Sequence, residues 1–152
     1  RESSAALNEV TIQKADPSMI TISVYVDGTF LNTYWADGLI VSTATGSTAY
    51  NLSVGGPILS PEDESIIISP ISPHNLTIRP IIISGKSRLR MIVEGRSNEY
   101  IATCDFRSNR LPFREEIGIA RSSGKLKTVM LTEMDFYNTL RNKLMWGADR
   151  RN

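Results

Sequence analysis

The sequence predicts an all-β fold: a two-sheet, β-sandwich-like domain of about ten short strands, with a short helix after a Gly-Ser-Thr-Ala-Tyr loop and a short C-terminal helix. Three observations carry this. Short runs of β-branched and aromatic residues alternate with polar ones, Gly, Pro, Asn or Ser punctuates most gaps, and only two stretches carry helix signals.

Taken in order, residues 10–13 form the first candidate strand. Ile20, Ile22, Val24 and Val26 then alternate with Thr21, Ser23 and Tyr25, and residues 29–35 continue the β-rich composition after Asp27-Gly28. Asp-Gly between two such runs predicts a tight hairpin, because both central residues of a type I′ turn need positive φ. Further strands are expected at residues 39–43, 65–69, 80–84, 88–94, 100–104, 116–120 and 126–131. Residues 47–54 read as a short helix stopped by Gly55-Gly56-Pro57. A second helix starts from Asp135 as N-cap, carries Phe136, Leu140 and Leu144 at i, i+4 and i+8, ends before Gly147, and is expected to pack on a sheet or a partner chain.

Composition narrows the function classes. With 152 residues, 41% hydrophobic and 22% charged, the chain is sized for a single domain with a core. No apolar run approaches the ~20 residues of a membrane span. The start, Arg1-Glu2-Ser3-Ser4, lacks an apolar segment, so no secretory signal is expected, and its abruptness reads as a cut end. One cysteine, Cys104, and one histidine, His74, argue against disulfide scaffolds, zinc fingers and zincins, and a reducing, cytoplasmic setting is expected. The net charge of +1 hides an asymmetry: residues 1–106 hold 7 basic and 11 acidic side chains, residues 107–152 hold 10 and 5. The basic residues are scattered singly, which reads as a solvated face rather than a nucleic-acid surface.

The stretch from Asp37-Gly38 through Ser42-Thr43-Ala44-Thr45-Gly46-Ser47-Thr48-Ala49-Tyr50 carries the chemistry. An apolar strand ends in hydroxyl residues and a glycine, then enters a helix whose first turn offers free N–H groups. Thr45, Ser47 and Thr48 could bind adenine edges, ribose hydroxyls or phosphate, or serve only to cap that helix; both readings stand. The segment is neither a Walker A loop nor a Gly-x-Ser-x-Gly elbow. A serine hydrolase would need His74, which lies between Ser72-Pro73 and Asn75-Leu76 and reads as a packing or backbone-satisfying residue. Taken singly, Asn8-Glu9 and Asp37 read as turn residues. Asp105 ends a strand, Tyr50 can stack on a base or cover core, and Cys104 reads as a small buried residue.

Together, Ala6-Leu7-Asn8-Glu9-Val10, the Asp37–Tyr50 stretch, Gly55-Gly56-Pro57, Pro70-Ile71-Ser72-Pro73-His74-Asn75-Leu76 with Arg79-Pro80, and Cys104-Asp105 resemble the C-terminal domain of bacterial-type NAD kinases. The match spans nearly the whole chain, and Ala44 departs from the family's usual Pro without removing a functional group. The resemblance implies that residues 1–152 are a dinucleotide-binding and oligomerising domain. Its parent enzyme would transfer a phosphoryl group from ATP, or in some members polyphosphate, to the adenosine ribose 2′-hydroxyl of NAD, giving NADP. Asn8 and Glu9 would hold dinucleotide hydroxyls or phosphate, and Thr45, Thr48 and Tyr50 would line the adenine pocket. Asp37 and Ala49 would face the nicotinamide half, and Asp105 would stand at the rim.

The family's other domain, an α/β unit with a Gly-Gly-Asp-Gly motif that supplies the catalytic groups, has no counterpart in these residues. The chain alone is therefore expected to be inactive and to bind no metal, with Mg²⁺ required by the whole enzyme. The resemblance also implies a homo-dimer or tetramer, with no nucleic-acid or membrane partner. The alternatives are the β domain of a related lipid or diacylglycerol kinase and a non-enzymatic β-sandwich module. Gly46-Ser47-Thr48-Ala49-Tyr50 with Asn8-Glu9 speaks against both.

Overall fold

The computed structural model describes residues 4–129 and 135–148. The chain divides into two compact units, residues 1–122 and 123–152. Among its described residues the first contains ten strands: β1 (Glu9–Lys14), β2 (Ile20–Val26), β3 (Thr29–Ala36), β4 (Gly38–Ser42), β5 (Ile66–Ile71), β6 (Ile81–Ile83), β7 (Arg88–Gly95), β8 (Glu99–Cys104), β9 (Arg107–Pro112) and β10 (Glu116–Ala120). They form two antiparallel sheets, one ordered β6-β5-β4-β1-β8-β9 and the other β10-β7-β2-β3. The sandwich expected from the alternating pattern is the observed architecture.

The alternation explains the core. On β2, Ile20, Ile22 and Val24 are fully buried, and they meet Leu89, Met91 and Val93 of β7 and Tyr34 of β3 on the same face. From the six-stranded sheet Ile12, Leu39, Val41, Ile66, Ile68 and Tyr100 supply the opposing layer. At Asp27 and Gly28, φ is 50° and 82°, as the type I′ turn demands. The Asp27 carboxylate also accepts the Arg88 N–H at 2.8 Å, tying the hairpin to β7. On β4 and β5 almost every residue is buried on both faces. A segment after β4 covers their outer side, and the candidate site lies there.

Three expectations about elements need correction. Residues 47–54 are not one helix: a 3₁₀ turn, Thr45–Thr48, and a single α turn, α1 (Tyr50–Ser53), are separated at Ala49, whose ψ is −130°. The predicted stop holds, because Gly55 has φ 79° and the Gly55 and Gly56 N–H groups donate to the Leu52 and Asn51 carbonyls in a Schellman arrangement. Strand β9 was not expected, since Arg107-Ser108-Asn109-Arg110 has no apolar alternation. It forms because the Asp105-Phe106 turn folds it directly onto β8, pairing Cys104 with Arg107. Residues 126–129 form no strand and are exposed, with no sheet partner to complete them, while residues 130 and 131 lie outside the described residues.

The second unit contains α2 (Phe136–Leu144). Asp135 caps it as expected, accepting the Tyr137 N–H at 2.9 Å. Met145, rather than Gly147, takes the left-handed position at its end, and Arg141 and Lys143 stand in its last turn.

Candidate functional site

The outer side of the six-stranded sheet is overlaid by the segment that leaves β4. Antiparallel pairing places Glu9 opposite Ser42, Thr11 opposite Ile40, and Gln13 opposite Gly38. Glu9, Thr11 and Gln13 alternate along β1, so they line one face over about 13 Å at the usual strand rise. Tyr50 spans this line. Its backbone N–H reaches the Glu9 carboxylate, and its phenol oxygen accepts from Gln13 Nε2 at 3.2 Å. The break at Ala49 starts α1 afresh at Tyr50 and leaves that N–H free for Glu9.

Asn8 and Glu9, just before and at the start of β1, are held from two sides. On one side the Asp105 carboxylate accepts three successive backbone N–H groups, from Leu7 (2.7 Å), Asn8 (2.8 Å) and Glu9 (3.2 Å). On the other, Thr43 N–H donates to the Asn8 carbonyl at 2.9 Å. The Thr43 hydroxyl donates to the Leu7 carbonyl at 2.7 Å and accepts the Gly46 N–H at 3.1 Å. Gly46 itself packs directly against the Asn8 backbone, leaving no room for a side chain.

The carboxylates respond in opposite directions. Burial, reinforced by the negative charge of Asp105, raises the Glu9 pKa above its ordinary value, against the opposing pull of the Tyr50 N–H. Glu9 Oε2 is buried and has no hydrogen-bond partner among the described residues. Partial burial works to raise the Asp105 pKa too, but its three N–H donors, with help from Arg107, hold it below the ordinary value. Asp105 is thus a committed anion, and Glu9 a carboxyl with an acceptor unclaimed.

The remaining predicted residues fall around this centre. Thr45 is exposed, Thr48 and Ala49 are half-buried, and neither threonine hydroxyl bonds to another described residue. The reading in which they cap the helix is therefore not what occurs: the hydroxyl that caps the turn belongs to Thr43. Asp37 lies at the far end of the line, paired with Lys14 at 2.6 Å. The His74 side chain is exposed, and the His74 backbone N–H donates to the Trp35 carbonyl. Cys104 is half-buried rather than buried.

Sequence reasoning missed Gln13, Thr43 and Asn51. Asn51 is fully buried: its amide donates to the Ser47 and Pro57 carbonyls at 2.9 and 3.0 Å, and accepts from the Ser69 hydroxyl at 2.7 Å. Ser47 Oγ accepts the Leu59 N–H at 3.0 Å. These bonds fasten the overlay to β5. The one available signal was Gly56, whose bareness makes space for the Asn51 amide.

The arrangement is a set of hydrogen-bonding groups on a rigid sheet, suited to holding a polyhydroxylated ligand. Residues 7–131 match the ATP-NAD kinase C-terminal domain family. The chain belongs to that family. Among relatives, the NAD kinase of Flavobacterium johnsoniae is 46% identical over all of this chain and 52% of that protein, and that of Bacteroides fragilis is 45% identical over 96% and 51%. The chain spans about half the length of the curated relatives it matches. Among solved structures, yeast NADH kinase complexed with NADH superposes with a TM-score of 0.86, 27% identity, 95% of this chain and 45% of that one. An NAD kinase from Archaeoglobus fulgidus in complex with ATP gives 0.70, 34%, 78% and 46%. The lipid-kinase and non-enzymatic alternatives are not favoured by these likenesses.

The family's expected divalent metal finds no cradle among the described residues, where no group of three or more His, Cys, Asp or Glu side chains is gathered. The Glu9–Asp105 pair does not fit one. Asp105 already accepts three backbone N–H groups, which leaves Glu9 as a single carboxylate where a divalent ion takes several oxygen ligands. No helix among the described residues is long and apolar enough to cross a membrane.

Proposed function

We propose that this chain is the dinucleotide-binding and oligomerising half of a cytoplasmic NAD kinase. In the proposed reaction the NAD adenosine ribose 2′-oxygen forms a bond to the γ-phosphorus of ATP, or to a terminal phosphorus of polyphosphate. The P–O bond to the leaving phosphate breaks and the hydroxyl proton is lost, giving NADP. Such transfers depend on positioning, charge neutralisation and activation of the hydroxyl. The residues here supply the positioning: Asn8 and Glu9 would bind ribose hydroxyls or phosphate, Thr45, Thr48 and Tyr50 the adenine, and Asp37 and Ala49 the nicotinamide half. Asp105 stands at the rim.

The observation that carries this reading is the Asn8–Glu9 corner, braced on both sides with Glu9 Oε2 unclaimed beside Tyr50. A ribose hydroxyl is a donor of the kind that oxygen lacks. Titration calorimetry with NAD and NADP tests it: binding that is lost on Tyr50→Ala and Asn8→Ala supports the proposal, and no binding by the unmodified chain rejects it. The chain alone should form no NADP from NAD and ATP. Oligomerisation is supported by the outward face of the four-stranded sheet, where Phe30 and Trp35 are 54% and 52% exposed. Light scattering that finds only monomer at high concentration rejects that part.

A further inference from the structure

We infer that Asp105 is a positioning residue, which acts on the dinucleotide through the Asn8–Glu9 backbone rather than by touching the ligand itself. The inference rests on the dinucleotide reading above and assigns Asp105 a role other than the rim contact that family resemblance implies.

Asp105 is the first residue of the two-residue turn between β8 and β9, and its φ is 53°. A non-glycine residue in the left-handed region is uncommon, and Asp is among those that tolerate it. Here that conformation aims the side chain across β8 toward the start of β1. The Asp105 N–H donates to the Glu9 carbonyl at 3.0 Å, and the carboxylate collects the N–H groups of Leu7, Asn8 and Glu9. Four hydrogen bonds from one residue therefore determine where four consecutive peptide groups lie. The neighbouring Arg107 guanidinium extends the brace by donating to the Ala5 carbonyl.

The position matters because the other brace cannot replace it. Thr43 binds the carbonyls of Leu7 and Asn8. Asp105 binds the Asn8 and Glu9 N–H groups, which lie in the same two peptide planes as those carbonyls, so both planes are held at both ends. Releasing one end lets the planes rotate, and with them the Asn8 and Glu9 side chains. Bonds from N–H to an ionised carboxylate are among the stronger ones. Asp105→Asn keeps the shape but replaces one acceptor oxygen with an NH₂ that faces N–H donors.

The experiment uses the full 152-residue chain, with Asp105→Asn, Glu9→Gln and the double variant, read by NAD calorimetry and by amide hydrogen exchange. Asp105→Asn is expected to speed exchange at Leu7, Asn8 and Glu9 at least about tenfold, as loss of charge-assisted bonds implies, with Ile12 and Val41 unchanged. It should weaken NAD binding about tenfold in the parent and by a clearly smaller factor in the Glu9→Gln background, where only the Asn8 side chain remains to be misplaced. Equal losses in both backgrounds would show direct ligand contact and overturn the inference. So would unchanged affinity with a lowered melting temperature, which marks a merely structural role. If the parent chain binds no NAD, the dinucleotide reading fails. Unchanged exchange at residues 7–9 instead refutes the brace itself, whatever the ligand.

Discussion

Gly46→Ala is the sharpest single test of how the site is built. A Cβ at residue 46 would lie 2.5 Å from the Asn8 carbonyl carbon and 2.7 Å from its Cα, where ordinary contact is 3.4–4 Å. Both atoms are backbone, so no flexible side chain can yield, and the two segments must separate by about 1 Å, the kind of shift that overpacking forces. That separation stretches the Thr43 N–H bond to the Asn8 carbonyl, now 2.9 Å, beyond hydrogen-bond range. One hydrogen bond at ~1 kcal/mol plus ~1–3 kcal/mol of overpacking gives a loss of about 2–4 kcal/mol. For a chain of this size that is a fall of about 5–15 °C in melting temperature.

Affinity should suffer separately, because misplacing binding groups by about 1 Å can cost up to ~100-fold where geometry is demanding. Thermal denaturation and NAD calorimetry on the same preparations read both effects. Gly118→Ala is the control: its Cβ would meet open space, and it should change stability by no more than about 0.5 kcal/mol. If Gly46→Ala melts within about 2 °C of the parent, well under the shift expected for such a loss, and binds NAD equally well, the contact between Gly46 and Asn8 does not organise the site.

Other perturbations follow from the same geometry. Asn51→Ala leaves the Ser69 hydroxyl and the Ser47 and Pro57 carbonyls without their partner, and should cost about 3 kcal/mol or more by urea denaturation. Tyr100→Phe should be neutral or stabilising by up to about 1 kcal/mol, since the Tyr100 hydroxyl is buried without a partner among the described residues. Burial, then Glu115, pushes its pKa up to about 12. The Arg88 N–H, then Ser87, holds the Asp27 pKa below 3.8, so its stabilisation is present above that pH and lost as pH falls through the depressed value. Asp27→Asn should therefore flatten the decline in melting temperature between about pH 5 and pH 2. Glu9 has the opposite sign: its raised pKa penalises the fold as pH climbs past 4.5. Glu9→Gln should raise the melting temperature near neutral pH, with the gain vanishing in acid.

Legibility in the sequence followed the range of the interactions involved. Ile20, Ile22 and Val24 announce a half-buried strand through their own spacing, and Asp27-Gly28 announces its turn, because the physics is local. β9 carries almost no such pattern: its pairing comes from Asp105 turning the chain back on β8, which only the folded hairpin reveals. The helix expected at residues 47–54 failed for a related reason. The Gly55-Gly56-Pro57 stop signal points to one helix running up to it, but Gly46 is pressed on Asn8, Ser47 is bonded to Leu59, and Asn51 is bonded to Ser69, so the segment is divided between anchors. Within the site, Asn8, Glu9 and Tyr50 were legible as a motif. Thr43, Gln13 and Asn51 were not, because each acts on partners that tertiary structure alone brings near; Gln13 reaches Tyr50 across 37 positions.

The two carboxylates at the corner show how the fold divides tasks between chemically similar groups. Both are partly buried, and a shared environment would have pushed both toward neutrality. Asp105 escapes because backbone N–H groups converge on it, and its anionic form holds the chain in place. Glu9 receives one N–H, from Tyr50, and faces the charge of Asp105, so its proton is held more tightly and one oxygen stays unclaimed. Ionising Glu9 therefore costs stability that a hydrogen-bond donor from a ligand can restore. By the same linkage that ties protonation to folding, such a ligand should lower the Glu9 pKa when it binds. NAD uptake measured at pH values from the ordinary 4.5 upward should then release protons in the parent and release fewer in Glu9→Gln. Equal release from the two would mean that the ligand does not use this oxygen.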